Sequence, residues 1–186
     1  DYTIRRYVNE AIGGMPDWFE AISIVPEGRS SKTQLLLTEE NVESYKRMNE
    51  KIKEAGRKAN GLNLSDHAGK HSGRYSNPDN RGAYDRYRHP QLEQYRAADD
   101  SCIVTDDYLK SLEESFWKSG TSGEKKPVLA VDIKSCHGYL LAELLSAYDR
   151  PGQYGGNYEN RTRLLKNGIK AAKVWEDENF QVTCRL

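Results

Sequence analysis

Apolar side chains recur along this chain in short blocks with two different periods. Residues 3–12 are mixed and read as a short helix, which Gly13-Gly14 and Pro16 break. Trp18, Phe19, Ala21, Ile22, Ile24 and Val25 form the first apolar cluster, closed by a turn at Pro26-Glu27-Gly28. Residues 31–37 read as a strand. The spacing then changes. Val42, Tyr45, Met48 and Ile52 step by three, three and four, which predicts one buried stripe on a helix over 39–55. Thr38 can cap that helix, and Glu39 and Glu40 suit its positive end. Tyr108, Leu109, Leu112 and Phe116 predict a second helix over 107–118, capped by Thr105 or Asp106 and preceded by a short strand at 101–105. Residues 127–133 are apolar on both faces of a strand, which predicts a central position in a sheet. Ser135 is placed to cap a helix over 139–148. Asn160 or Thr162 opens a last helix over 161–175, and residues 180–184 close as a strand.

This succession predicts an α/β or α+β fold, with a small mixed sheet flanked by helices, in a single domain over 1–186. One stretch departs from the pattern. Gly56, Gly61, Gly69, Gly73, Gly82, Pro78 and Pro90 punctuate residues 56–96, and aliphatic side chains are almost absent between Leu64 and Leu92. Such a segment cannot build a core of its own. It reads as a long, irregular, basic excursion rich in Tyr and Arg, with 97–186 as the core that holds the candidate site. No internal repeat is present, and no apolar run approaches the ~18 residues that a membrane span requires.

Composition narrows the class only a little. Of 186 residues, 37% are hydrophobic and 30% charged, too apolar for wholesale disorder. The formal net charge is zero, but it is patterned. Residues 46–96 carry 12 basic and 6 acidic side chains, whereas 97–132 carry 4 basic and 8 acidic. Basic patches attract polyanions and clustered carboxylates attract divalent cations. Lobes of opposite sign attracting each other explain the same pattern. Cys102, Cys136 and Cys184 are odd in number and widely spaced, which favours a reducing compartment, cytoplasmic or reached by delivery into a cytoplasm. The start at Asp1 reads as a processed or trimmed chain. A retained signal peptide is excluded, and a removed one stays open.

The most informative chemistry lies at the end of the central strand. Asp132 and Lys134 are two apart, so they share one face of the strand beyond an apolar run. A carboxylate and an ammonium held together there can bind a divalent metal and orient water on a phosphate. They can equally form a structural ion pair. The stretch 127–148, an apolar strand ending in Asp132-Ile133-Lys134 and followed by a helix with Glu143 and Tyr148, resembles the PD-(D/E)xK nuclease superfamily. The resemblance implies a Mg2+ ion bound by Asp132 and an upstream acid, Asp107 first, then Asp106 or Glu114. It also implies Lys134 as the residue activating water, and a metal-dependent phosphodiesterase acting on nucleic acid. Residues 132–145 are also similar to motif A of polymerase palms, which would make this a palm fragment with the same Asp132 as metal ligand.

Three other groups bear on function. Arg74, Tyr75, Arg81, Tyr84, Arg86, Tyr87 and Arg88 could bind single-stranded nucleic acid, tyrosines stacking on bases and arginines pairing with phosphates. The same loop could serve a non-enzymatic effector as its surface for a protein partner. His67 and His71 are four apart, but their surroundings do not read as the helix that would make them a metal pair. Cys136 could serve a hydrolase or transferase together with a distant histidine.

Overall fold

The computed structural model describes residues 2–12, 18–29, 33–55, 61–65, 103–121, 130–174 and 180–186. Within them, each apolar stripe becomes a buried helix face. Helix α1 spans Tyr2–Ile12 and α2 spans Val42–Glu54, entered through a single 3-10 turn at Glu39–Asn41. Val42, Tyr45, Met48 and Ile52 are all buried. The Thr38 N–H donates to Asn41 Oδ1 at 2.9 Å, which fixes the entry angle of the helix. Helix α3, Asp106–Thr121, buries Leu109, Leu112 and Phe116, and the Tyr108 N–H donates to Thr105 Oγ1 at 3.2 Å. The expected cap is therefore Thr105. Helices α4 (Leu140–Leu145), α5 (Tyr158–Arg161) and α6 (Arg163–Lys173) follow.

Four strands form one sheet: β1 (Trp18–Ser23), β2 (Gly61–Ser65), β3 (Ala130–Lys134) and β4 (Gln181–Arg185), in the order β1-β2-β3-β4. Every pairing is parallel. The α/β class is as expected, but the mixed sheet is corrected to a parallel one. The reason is topological. Parallel neighbours need a crossover of a dozen or more residues. Helix α2 supplies it between β1 and β2, the segment ending in α3 between β2 and β3, and α4–α6 between β3 and β4.

Strand β2 lies inside the stretch expected to be wholly irregular, so that expectation is corrected at 61–65. Residues 31–37 give no strand among their described members, only a bridge between Ser23 and Leu36. The Ser135 cap is also corrected. The Ser135 N–H donates to the Arg185 carbonyl at 2.7 Å, extending the β3–β4 ladder, and its buried hydroxyl has no hydrogen-bond partner among the described residues. Helix α4 begins only after Tyr139.

Alternation along β3 sets the two faces of the sheet. Val131 and Ile133 join the core, together with Ile22, Leu109, Leu112, Leu140, Leu144 and Leu164. Ala130, Asp132 and Lys134 occupy the other side. Because the strands are parallel, their carboxyl ends (Ser23, Ser65, Lys134 and Arg185) lie at one end of the sheet. No helix among the described residues is long and apolar enough to cross a membrane.

Candidate functional site at the carboxyl ends of the central strands

The register of β3 and β4 places Asp132 beside Thr183 and Lys134 beside Arg185. Asp132 is 7% exposed, and both of its oxygens are engaged. Thr183 Oγ1 donates to Oδ1 at 2.8 Å and Arg185 Nη2 donates to Oδ2 at 2.8 Å. A charge this buried persists only when paired and hydrogen-bonded, and the neighbouring strand provides both. Lys134 is equally buried, and its ammonium lies 4.4 Å from the centre of the Tyr139 ring, a cation–π distance. Burial pushes the Lys134 ammonium pKa down, the Arg185 guanidinium adds to that, and Cys136 partly opposes it. The strand ends thus hold two cations, Lys134 over Tyr139 and Arg185 on the Asp132 carboxylate.

The loop leaving β3 is conformationally unusual. His137 has φ 63° and Gly138 φ 69°, two successive left-handed residues that turn the chain from strand to α4. A non-glycine residue there is uncommon, and such strain clusters at functional sites. Tyr139 follows, half-buried. Burial first, then Cys136, pushes its phenol pKa up, so the hydroxyl keeps its proton through neutral pH. Cys136 is buried. Burial, Asp132 and Cys136 push the Cys184 thiol up. Chemically, this end of the sheet can bind a negative group and offer a protonated phenol.

The other expected metal ligands are placed differently. Asp106 accepts from Arg150 Nη2 at 2.7 Å and from the Gln153 N–H at 2.6 Å, so its carboxylate ties the loop after α4 to the start of α3. The Asp107 side chain is 95% exposed, 3.9 Å from Lys110. Glu114 is exposed on α3. The oxygens of Asp132 face Thr183 and Arg185, and none of these three acids is hydrogen-bonded to it. Among the described residues no three His, Cys, Asp or Glu side chains group around a potential metal position. Arg74, Tyr75, Arg81, Tyr84, Arg86, Tyr87 and Arg88 lie outside the described residues, as do His67 and His71. Sequence reasoning missed Thr183, Arg185 and Tyr139. The alternation in the closing strand could have flagged the first two, but their pairing with Asp132 spans 51 and 53 residues.

Residues 18–186 match the family model described as NADH:flavin oxidoreductase / NADH oxidase. The chain is 26% identical over 184 residues to an NADPH dehydrogenase of Bacillus velezensis, covering 96% of this chain and 52% of that protein. It is 29% identical over 185 residues to an NADPH dehydrogenase of Clostridium acetobutylicum, covering 96% and 51%. It therefore spans about half the length of the curated relatives it matches. Among solved structures, Old Yellow Enzyme from Pichia superposes with a TM-score of 0.76 at 20% identity, covering 99% of this chain and 50% of that one. Histamine dehydrogenase from Rhizobium superposes with a TM-score of 0.70 at 16% identity, covering 98% and 27%.

These matches overturn the resemblance to PD-(D/E)xK nucleases, which rested on residues 127–148 alone. The nuclease and hydrolase function, the Mg2+ cofactor, the palm fragment, the Cys136-dependent hydrolase and the effector module go with it. The strand-end Asp132 and Lys134 were correctly placed on one face, but the oxygens that a metal would need are taken by Arg185 and Thr183.

Proposed function

The chain belongs to the NADH:flavin oxidoreductase / NADH oxidase family, and on that premise we propose that it forms about half of a flavin-dependent (β/α)8 oxidoreductase that oxidises a reduced nicotinamide nucleotide. Four parallel strands in consecutive order, joined by helical crossovers, are four of the eight units of such a barrel. Barrel enzymes place their active sites at the carboxyl ends of the strands. The observation that carries the reading is the pair of cations found there, Lys134 and Arg185, one of them buried.

The site suits a flavin mononucleotide. Two cations against one carboxylate leave a net positive charge, and that cofactor has a phosphate and a ring that becomes anionic when reduced. Lys134 and Arg185 would hold it. The bound flavin supplies the ring that accepts a hydride from the nicotinamide and returns it to an acceptor. Asp132 fixes the Arg185 guanidinium on the strand face. Tyr139 covers the Lys134 ammonium on one side, and its phenol keeps a proton that it can donate to an oxygen of the acceptor. Cys136 and Cys184 are free thiols, which suits a reducing, cytoplasmic setting.

Titration of the protein with FMN, followed by flavin fluorescence, tests the reading. We expect saturable quenching, bleaching of the bound flavin by NADPH without oxygen, and an affinity at least tenfold weaker in Lys134→Met. A wild-type protein that neither quenches FMN nor supports its reduction overturns the proposal.

A further inference from the structure

The two outer edges of the sheet differ. On β1 the edge is covered. The Ser23 N–H donates to the Leu35 carbonyl at 2.9 Å, and the Leu37 N–H donates to the Ser23 carbonyl at 2.8 Å. Gln34 Nε2 donates to the Ala21 carbonyl at 3.0 Å. On β4 the edge is open. This strand is last in the sheet order, and among the described residues no strand pairs with its outer side. Gln181, Thr183 and Arg185 are exposed, and Val182 and Cys184 are half-buried. An open edge presents unpaired N–H and C=O groups to another strand.

The β3–β4 ladder fixes which groups point outward. The Ser135 N–H donates to the Arg185 carbonyl, so Arg185, and by alternation Thr183 and Gln181, turn their main-chain groups toward β3. The N–H and C=O groups of Val182 and Cys184 therefore point away from the sheet. The side chains of these two residues lie on the core face with Phe180. Thr183 and Arg185 lie on the Asp132 face, and alternation puts Gln181 there too.

We infer that β4 pairs antiparallel with β4 of a second copy of this chain, about a two-fold axis at Thr183. That register is self-complementary. It sets Val182 opposite the partner's Cys184, and these are the residues whose main-chain groups point outward, so each such pair exchanges both hydrogen bonds. On the core face apolar meets apolar, with Phe180 opposite the partner's Leu186. Leu186 is 79% exposed in the single chain. On the other face Gln181 stands opposite the partner's Arg185, and Thr183 opposite the partner's Thr183, a favourable cross-strand pair. No like charges of β4 face each other. An in-register parallel joint would set Arg185 beside the partner's Arg185, and a head-to-tail joint needs the β1 edge, which is taken. The two strands run in opposite directions, so each copy keeps its own Asp132–Arg185 cluster at its own end of the joined sheet.

Sedimentation equilibrium of the full 186-residue chain tests the inference, and because it reads mass it is independent of the flavin reading. One strand joint buries less than the ~1,200 Å2 of stable interfaces, so we expect a dimer populated at ~100 μM that dissociates on dilution to ~1 μM. Gln181→Arg puts like charges opposite each other and should weaken the dimer by about threefold or more, whereas Gln181→Glu should tighten it. Both changes are on the surface and should leave the denaturation midpoint in place. Thr183→Cys brings two thiols together across the axis, where the ~4.5 Å between Cα atoms suits a disulfide. Mild oxidation should therefore link Thr183→Cys into a covalent dimer, and should not link the wild type or Gln181→Cys. A monomer at ~100 μM overturns the inference and leaves the edge to a following strand of the barrel. A dimer indifferent to both charges at position 181, or one that Thr183→Cys does not link, overturns it as well.

Discussion

Asp132 shows what one side chain can reveal and what it hides. Its place at the end of an apolar strand and its shared face with Lys134 follow from the two-residue period of a strand. Its partner does not, because Arg185 reaches it across a parallel pairing 53 residues away. Replacing the carboxylate in Asp132→Asn removes the anion that accepts from Arg185 and leaves that guanidinium near the Lys134 ammonium. The Arg185 side chain is 48% exposed, so solvent screens part of the repulsion. We expect a loss of about 1–3 kcal/mol in guanidinium denaturation, less than for a fully buried pair. Adding Arg185→Met should recover part of it, since the stranded cation is then gone. Lys134 carries a second expectation. Its pKa lies below the ordinary lysine value, so it becomes neutral at a lower pH than an exposed lysine. FMN affinity should therefore fall with rising pH before the ~10.4 of an exposed lysine is reached, and Lys134→Met should flatten that profile.

At the level of elements, helices were the legible part. The stripes of α2 and α3 have a period that nothing else in the chain imitates, and both helices formed within a few residues of their expected limits. Strand β2 was not legible. Gly61-Leu-Asn-Leu-Ser65 contains only two aliphatic residues, where a central parallel strand usually reads as a continuous apolar run. Its identity comes from backbone pairing with β1 on one side and β3 on the other, which no local pattern encodes. The turn after α4 illustrates a second non-local constraint. Gly152 has φ +90°, and a Cβ there would lie 2.4 Å from Asp106 Oδ2, the oxygen that accepts from the Gln153 N–H. Gly152→Ala should lose about 2–3 kcal/mol in chemical denaturation, through left-handed strain and displacement of that carboxylate. Gly168 makes the contrast. A Cβ at this helical position would meet Phe116 at 3.5 Å, ordinary contact, so Gly168→Ala should be neutral or stabilise by up to ~1 kcal/mol.

At the scale of the whole molecule, the alternation of strand and helix was legible as an α/β fold, but the direction of the sheet was not. With β2 unread and a strand expected at 31–37 in place of a single bridge, the pairings that make every neighbour parallel were not visible. The assembled core has a consequence that no single residue displays. Tyr7 and Tyr45 come from α1 and α2, Tyr139 and Tyr154 from two loops, and burial pushes all four phenols above their ordinary value. The Cys184 thiol is pushed up as well. Below the unfolded values, about 8.5 for the thiol and about 10 for the phenols, both states hold these protons and stability is unaffected. Above them the unfolded chain releases protons that the folded one retains, so stability falls with pH until the folded values are passed. Lys134 acts in the opposite sense, because its lowered pKa makes the unfolded chain the better proton binder just below 10.5, the ordinary value. One lysine against four phenols and a thiol cannot reverse the slope. The denaturation midpoint should therefore decline from about pH 9 and more steeply above about pH 10. The ultraviolet signal of the buried tyrosinates should appear together with the loss of helical circular dichroism. A midpoint constant through pH 11, or all twelve tyrosines ionising near pH 10 in a chain that stays folded, would show that these phenols are not buried as described.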